Sequence, residues 1–209
     1  MSNKAIEDLA QIKTMMERST KFLSLSGWSG IWVGLCGLIA SGILYIWQTN
    51  SLYSYQDLTL NDPYQNTYNA FNLLSLALIT FIVAVTGGFY FTIVKTRKQG
   101  KQFINSLTKR LLIRFSLPLV VGGILCLLWY KYNLLSFALP TTLIFYGLAL
   151  YTVQEDTVKE VKIIALLQLL LGLVSFYFID YTLLCWAIGF GLIHLLYGII
   201  LWNKYDKQN

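Results

Sequence analysis

Apolar residues run without interruption along six stretches of this chain, about 23–47, 70–94, 111–130, 134–153, 161–179 and 181–202, and no central part of any stretch holds an acidic or basic residue. A helix rises 1.5 Å per residue and needs about 20 apolar residues to cross roughly 30 Å of hydrocarbon. All six stretches have that length. Strands of a transmembrane barrel would alternate in polarity, and these stretches do not. The pattern predicts an all-α polytopic membrane protein with six transmembrane helices arranged as hairpins. Residues 23–209 form that six-helix domain, with little chain left for a separate globular one. Residues 1–22 precede it. The first stretch is longer than a signal h-region and follows a long segment of mixed charge, so it reads as a retained span.

The segment 3–21 has a different period. Ile6, Leu9, Ile12 and Met16 recur at near-helical spacing, Ser2 and Asn3 suit an N-cap, and Glu7 and Asp8 lead while Arg18 and Lys21 trail, as the helix dipole prefers. This predicts a cytoplasmic N-terminal amphipathic helix. It either lies on the inner headgroups or serves as a docking helix for a cytosolic partner.

Composition agrees with the pattern: 56% of the 209 residues are hydrophobic and 12% charged. The net charge of +6 would suit nucleic acid, but its placement points to the membrane. With six spans both termini share one side, and all but Lys131 of the 16 basic residues fall on it. Lys and Arg resist translocation and favour anionic headgroups, which makes that side cytoplasmic. The expected location is a bacterial inner membrane with both ends inside. A basic cytoplasmic loop stands out, with Lys95, Arg97, Lys98, Lys101, Lys109, Arg110 and Arg114 and no acid. It reads as a topology determinant that attracts anionic lipid headgroups. The alternative is an acidic ligand, although no Gly-rich phosphate loop accompanies it. Trp47, Trp129, Tyr130, Tyr132, Tyr177 and Tyr181 mark the outer interface, and Trp28 and Trp202 the inner one. The outer loop, about 48–69, is polar and carries four tyrosines.

Small residues mark where helices meet. Gly27, Gly30, Gly34, Gly37 and Ser41 recur on one face of the first span, and Ala187, Gly191, His194 and Gly198 on one face of the sixth. Helices in lipid lack a hydrophobic drive to associate, so such helix-packing seams supply cohesion by close approach. They serve either packing within the chain or a homo-oligomer. The last four spans also resemble a hairpin repeated at an offset of about 49, with Tyr132-Asn-Leu-Leu-Ser-Phe-Ala-Leu against Tyr181-Thr-Leu-Leu-Cys-Trp-Ala-Ile.

Candidates for chemistry are few. His194, the only histidine, and Gln168 lie at similar depth in the sixth and fifth spans and form a candidate intramembrane polar pair. An ionisable residue at this depth is a functional candidate, whereas a neutral His held by Gln reads as structural. Metal or haem ligation needs further ligands that the spans lack, so no metal and no cofactor is expected. Cys36, Cys126 and Cys185 show no ligand or disulfide spacing. Coupled transport usually needs intramembrane carboxylates, and a hydrolase needs a base beside its nucleophile. No catalytic residue is assigned. Pro118 and Pro140 are expected to kink the third and fourth spans.

The stretches Met16-Glu-Arg-Ser-Thr-Lys-Phe-Leu-Ser-Leu-Ser-Gly-Trp-Ser-Gly, Leu143-Ile-Phe-Tyr-Gly-Leu-Ala-Leu and Trp186-Ala-Ile-Gly-Phe-Gly-Leu-Ile-His-Leu-Leu-Tyr-Gly-Ile-Ile resemble an uncharacterised family of bacterial six-span inner-membrane proteins. That resemblance brings no activity with it. The expected function is non-enzymatic: a regulatory, sensory or assembly protein working through protein or lipid contacts. The alternative is a small transporter or channel for a neutral or lipid-like solute, which needs a cavity lined by Gln168, His194, Tyr197 or Thr86. Expected partners are membrane lipids and a cytosolic or membrane protein, with no nucleic acid.

Overall fold

The structure, a computed structural model, describes residues 26–49, 63–100, 103–132 and 134–207, with 63–70 as backbone alone. The predicted amphipathic helix and most of the predicted outer loop lie outside the described residues. The chain is an all-α, multi-pass membrane protein. Among the described residues six helices are long and apolar enough to cross a membrane, at Gly27–Thr49, Phe71–Lys98, Ser106–Lys131, Leu135–Asp156, Glu160–Tyr177 and Ile179–Asp206.

Helix α1 (Gly27–Thr49), α2 (Pro63–Lys98), α3 (Ser106–Lys131), α4 (Ala138–Val153) and α5 (Glu160–Tyr177) each form most or all of one span. The sixth span is composite. It comprises α6 (Thr182–Trp186), a π-helical stretch Ala187–Ile193, α7 (His194–Leu201) and a second π stretch Trp202–Asp206. Spans three, four, five and six pack in sequence as antiparallel neighbours. α1 returns to lie along the sixth span, and α2 rests on α1.

Two expectations about boundaries change. The helix α2 begins at Pro63, inside the stretch read as outer loop. Proline suits the first turn, where a backbone N–H has no partner to lose. The basic stretch 95–114 is mostly helical too: α2 runs to Lys98 and α3 starts at Ser106. Lys95, Arg97 and Lys98 occupy the last turn of α2, while Lys109, Arg110 and Arg114 lie in the first turns of α3. Lys101 lies outside the described residues. The reason is that basic residues mark where a helix leaves hydrocarbon, not where it ends. At 26 residues, α3 measures about 39 Å and outruns the apolar layer.

The prolines differ from expectation as well. Pro140 sits in the first turn of α4 and is fully buried, so it interrupts no hydrogen bond there. Pro118 lies inside α3, which continues helically past it. Lacking an N–H, Pro118 leaves the Arg114 carbonyl without its usual partner. The Thr152 hydroxyl of α4 lies 3.1 Å from that carbonyl, and 2.7 Å from the Ala149 carbonyl of its own helix.

Glycine notches set the helix spacing. A Cβ on Gly34 would sit 2.6 Å from the Leu195 nitrogen, and one on Gly37 2.6 Å from the Phe190 carbonyl oxygen. On the other side, a Cβ on Gly198 would strike the Ile31 nitrogen. The two backbones therefore touch. Elsewhere larger side chains enter notches: Trp32 of α1 fills the one at Gly87 of α2, and its indole N–H donates to the Val83 carbonyl at 3.0 Å. Phe145 of α4 fills the one at Gly122 of α3.

Candidate functional site

Three polar side chains meet near the middle of the bundle. Gln168 comes from the centre of α5, Tyr146 from the centre of α4, and His194 from the point where the π stretch gives way to α7. Gln168 is completely buried and His194 nearly so. Their meeting point is the carbonyl of Gly189, one turn earlier in the sixth span. Gln168 Nε2 donates to it at 2.8 Å, and His194 Nδ1 lies 2.9 Å from it. A π turn is an irregularity in the hydrogen-bond ladder that often accompanies special sites, and here it surrounds this carbonyl. Glycine at 189 lets these side chains close in: a Cβ there would lie 2.5 Å from Leu143 Cδ2 and 2.7 Å from Gln168 Oε1, and both would have to shift.

The network fixes the ring's tautomer. A carbonyl oxygen only accepts, so Nδ1 carries the proton. In the neutral ring Nε2 then accepts, and the Tyr146 hydroxyl, 2.8 Å away, donates to it. Gln168 Nε2 and His194 Nδ1, 3.5 Å apart, are two donors sharing one acceptor. Aromatic rings enclose the group. Phe190 stacks on the imidazole with centroids 5.8 Å apart and planes at 10°, and Phe115 of α3 meets Tyr146 edge-on at 6.0 Å. Trp186 closes the next turn, donating to Thr142 Oγ1 at 3.1 Å.

The structure thus places Gln168 beside His194, joined through Gly189 as well as facing each other. Tyr146 is the member that reasoning from the sequence missed. The available signal was a residue with a polar tip at hydrocarbon depth in the middle of the fourth span. Three atoms in or near this core have no hydrogen-bond partner: Gln168 Oε1, Tyr197 Oη and Ser175 Oγ. Thr86 is not part of the group; it is exposed on α2 and bonds the Ile82 carbonyl of its own helix at 2.7 Å.

Of the seam residues, Gly27, Gly30, Gly34 and Gly37 face the sixth span, where Gly198 lies against Gly27 and Gly30, and Gly191 against Leu38. The seams are brought together within one chain.

Apart from Lys131, the described basic residues gather at one end of the bundle, and most of the described acids there are engaged. Asp206 Oδ2 accepts the Gly27 N–H at 2.9 Å, which caps α1, while its Oδ1 lies 2.5 Å from Lys95 Nζ. One carboxylate thereby joins the first, second and sixth spans. Asp156 binds Arg110 at 2.7 Å and Arg114 at 3.0 Å. Glu160 pairs with Lys204 at 2.5 Å. Among the described residues no three His, Cys, Asp or Glu side chains form a group able to hold a metal ion.

No family model, curated protein or solved structure matches this chain.

Proposed function

We propose that the protein is a non-enzymatic component of a bacterial inner membrane, regulatory, sensory or assembly-directed, that acts through contacts at its basic end. The observation that carries this reading is that the nitrogens of its central polar group are engaged within the chain. Both nitrogens of His194 and the amide nitrogen of Gln168 are engaged within the chain. Metal ligation would need one of those two ring nitrogens to give up its partner. With no carboxylate beside it, the group serves as a bolt holding α4, α5 and the sixth span. By the positive-inside rule the basic end, with both chain termini, faces the cytoplasm. The resemblance to six-span inner-membrane proteins accords with this placement and adds no activity.

The testing experiment is purification of the intact protein from its native membrane in mild detergent, followed by mass spectrometry of what accompanies it. A stoichiometric protein partner that is lost when residues 2–20 are deleted is the expected result. A protein that emerges alone, or with a bound small molecule, contradicts it.

A second reading, a small transporter or channel for a neutral solute, draws on the unpartnered Gln168 Oε1 and Tyr197 Oη in the core. Buried acceptors left without donors are costly, and a passing hydroxyl or water would satisfy them. A solute co-purifying with the wild type and lost in Gln168→Leu would favour it.

A further inference from the structure

The six described spans form three hairpins: α1 with α2, α3 with α4, and α5 with the sixth span. Where one hairpin meets the next, the second helix of one lies on a glycine notch in the first helix of the other. In α5 the notch at Gly172 receives α4: a Cβ there would sit 2.5 Å from Ile144 Cγ1 and 3.0 Å from the Ile144 nitrogen. In α1 the notches at Gly34 and Gly37 receive the sixth span, at Leu195 and Phe190. Both joints bring backbones together, which is a main source of cohesion between helices in lipid.

The matching joint on α3 is bare. At the hairpin offset of about 49, Gly123-Ile-Leu-Cys stands where α5 has Gly172-Leu-Val-Ser. Gly123 is exposed, and among the described residues nothing lies within 4 Å of a Cβ placed on it. Val120, Ile124 and Leu127 beside it are each more than half exposed. The helix due at this joint is α2, yet α2 packs on α1 and α3 on α4, not on each other. Trp32 in the Gly87 notch, its bond to the Val83 carbonyl, and the Lys95–Asp206 pair hold α2 where it is. Its far side is bare as well: Leu78, Phe81 and Ile82 are each half exposed or more. Thr86, also exposed, lies as many residues from Lys95 at the inner end as Gly123 does from Arg114. The two bare sides therefore present a small residue at one depth.

We propose that α3 docks on α2 of a second copy of this chain, the Gly123 notch taking α2 near Thr86, in a two-fold dimer within the membrane. The joints already made within the chain point to this occupant. Each pairs a first helix with a second helix running the opposite way, and among the described spans α2 is the second helix left without such a partner. A two-fold axis along the membrane normal makes the contact twice, α2 on α3 and α3 on α2, as a closed isologous dimer requires. Gly42 of α1 also has open space around it, but α1 has received its second helix, so this position serves as the control. The copy number is a separate observation from a partner lost on deleting residues 2–20, so this inference and the reading of the basic end can fail separately.

The experiment counts copies of the full-length protein by native mass spectrometry in lipid nanodiscs excised directly from the membrane. The wild type should give two copies. Gly123→Leu should lower the ratio of dimer to monomer on the order of tenfold or more, because the side chain fills the notch that the partner helix enters. Gly42→Leu should leave the dimer whole. A monomeric wild type, an undiminished dimer in Gly123→Leu, or equal loss in Gly42→Leu overturns the proposal. Crosslinking of Thr86→Cys with Gly123→Cys, in a C36S/C126S/C185S background, then identifies the occupant. A disulfide between copies is expected. A disulfide within one chain would show that the chain's own α2 closes the joint, and that result, or no disulfide at all, contradicts the proposal. Should Gly123→Leu not fold, Val120→Trp takes its place with the same expectation and the same contradicting result.

Discussion

The Tyr146 hydroxyl lies 2.8 Å from His194 Nε2, joining the fourth span to the sixth across 48 residues of chain. This contact turns a pair of polar residues into a closed group, because it occupies the ring nitrogen that Gly189 leaves free. Hydrogen bonds within membranes contribute about 0.6–2 kcal/mol. Tyr146→Phe is therefore expected to lower unfolding stability in detergent by about 1 kcal/mol. His194→Ala should cost more, since it opens a cavity and leaves Tyr146 without its acceptor. Steric-trap or denaturant unfolding of both variants measures this; neither change should alter membrane insertion.

The α1 seam permits a contrast between glycines. Gly34→Ala is expected to destabilise by about 1–3 kcal/mol, because its Cβ would meet backbone that cannot swing aside. Gly42 and Gly123 have nothing within 4 Å of a Cβ. Gly42→Ala and Gly123→Ala should be neutral or stabilising by up to about 1 kcal/mol, from helix propensity alone. Thermal unfolding of the three variants as monomers in one detergent separates the cases.

Asp206 predicts a graded response. Asp206→Asn keeps an oxygen for the Gly27 N–H but removes the charge facing Lys95, and should cost roughly 1–2 kcal/mol. Asp206→Ala also removes the α1 cap, adding about 1 kcal/mol. Equal losses in the two variants, measured by the same unfolding assay, would mean that only the ion pair matters.

Much of this was legible in the sequence because a membrane admits few solutions. Six uncharged runs can only be helices, and the depth of Gln168 and His194 can be counted from the span ends. Their partners were harder to see. Gly189 enters through a carbonyl, which no side-chain pattern announces, and the π turn shifts the register that helical counting assumes. Tyr146 was hidden because tyrosine near a membrane usually marks an interface, whereas here it lies midway along its span. The basic stretch was misread as loop for a related reason: charge reports depth, while helix ends depend on caps such as Asn105 and Gly100.

Pro118 yields a coupling test. If the Thr152 hydroxyl serves the Arg114 carbonyl that Pro118 leaves open, Thr152→Val should cost about 0.5–1.5 kcal/mol in the wild type and less in a Pro118→Ala background. An additive double-mutant cycle would place that hydroxyl's bond on Ala149 alone.

The account rests on His194 being closed into the core. Because the chain has a single histidine, nitrogen-15 labelling of histidine gives one imidazole spectrum without assignment. That measurement is the most direct test. The expected spectrum is a neutral ring protonated at Nδ1, with Nε2 accepting a hydrogen bond and no exchange of the Nδ1 proton with bulk water. A ring protonated at Nε2, or a proton in rapid exchange with water, would show an open imidazole and contradict the account.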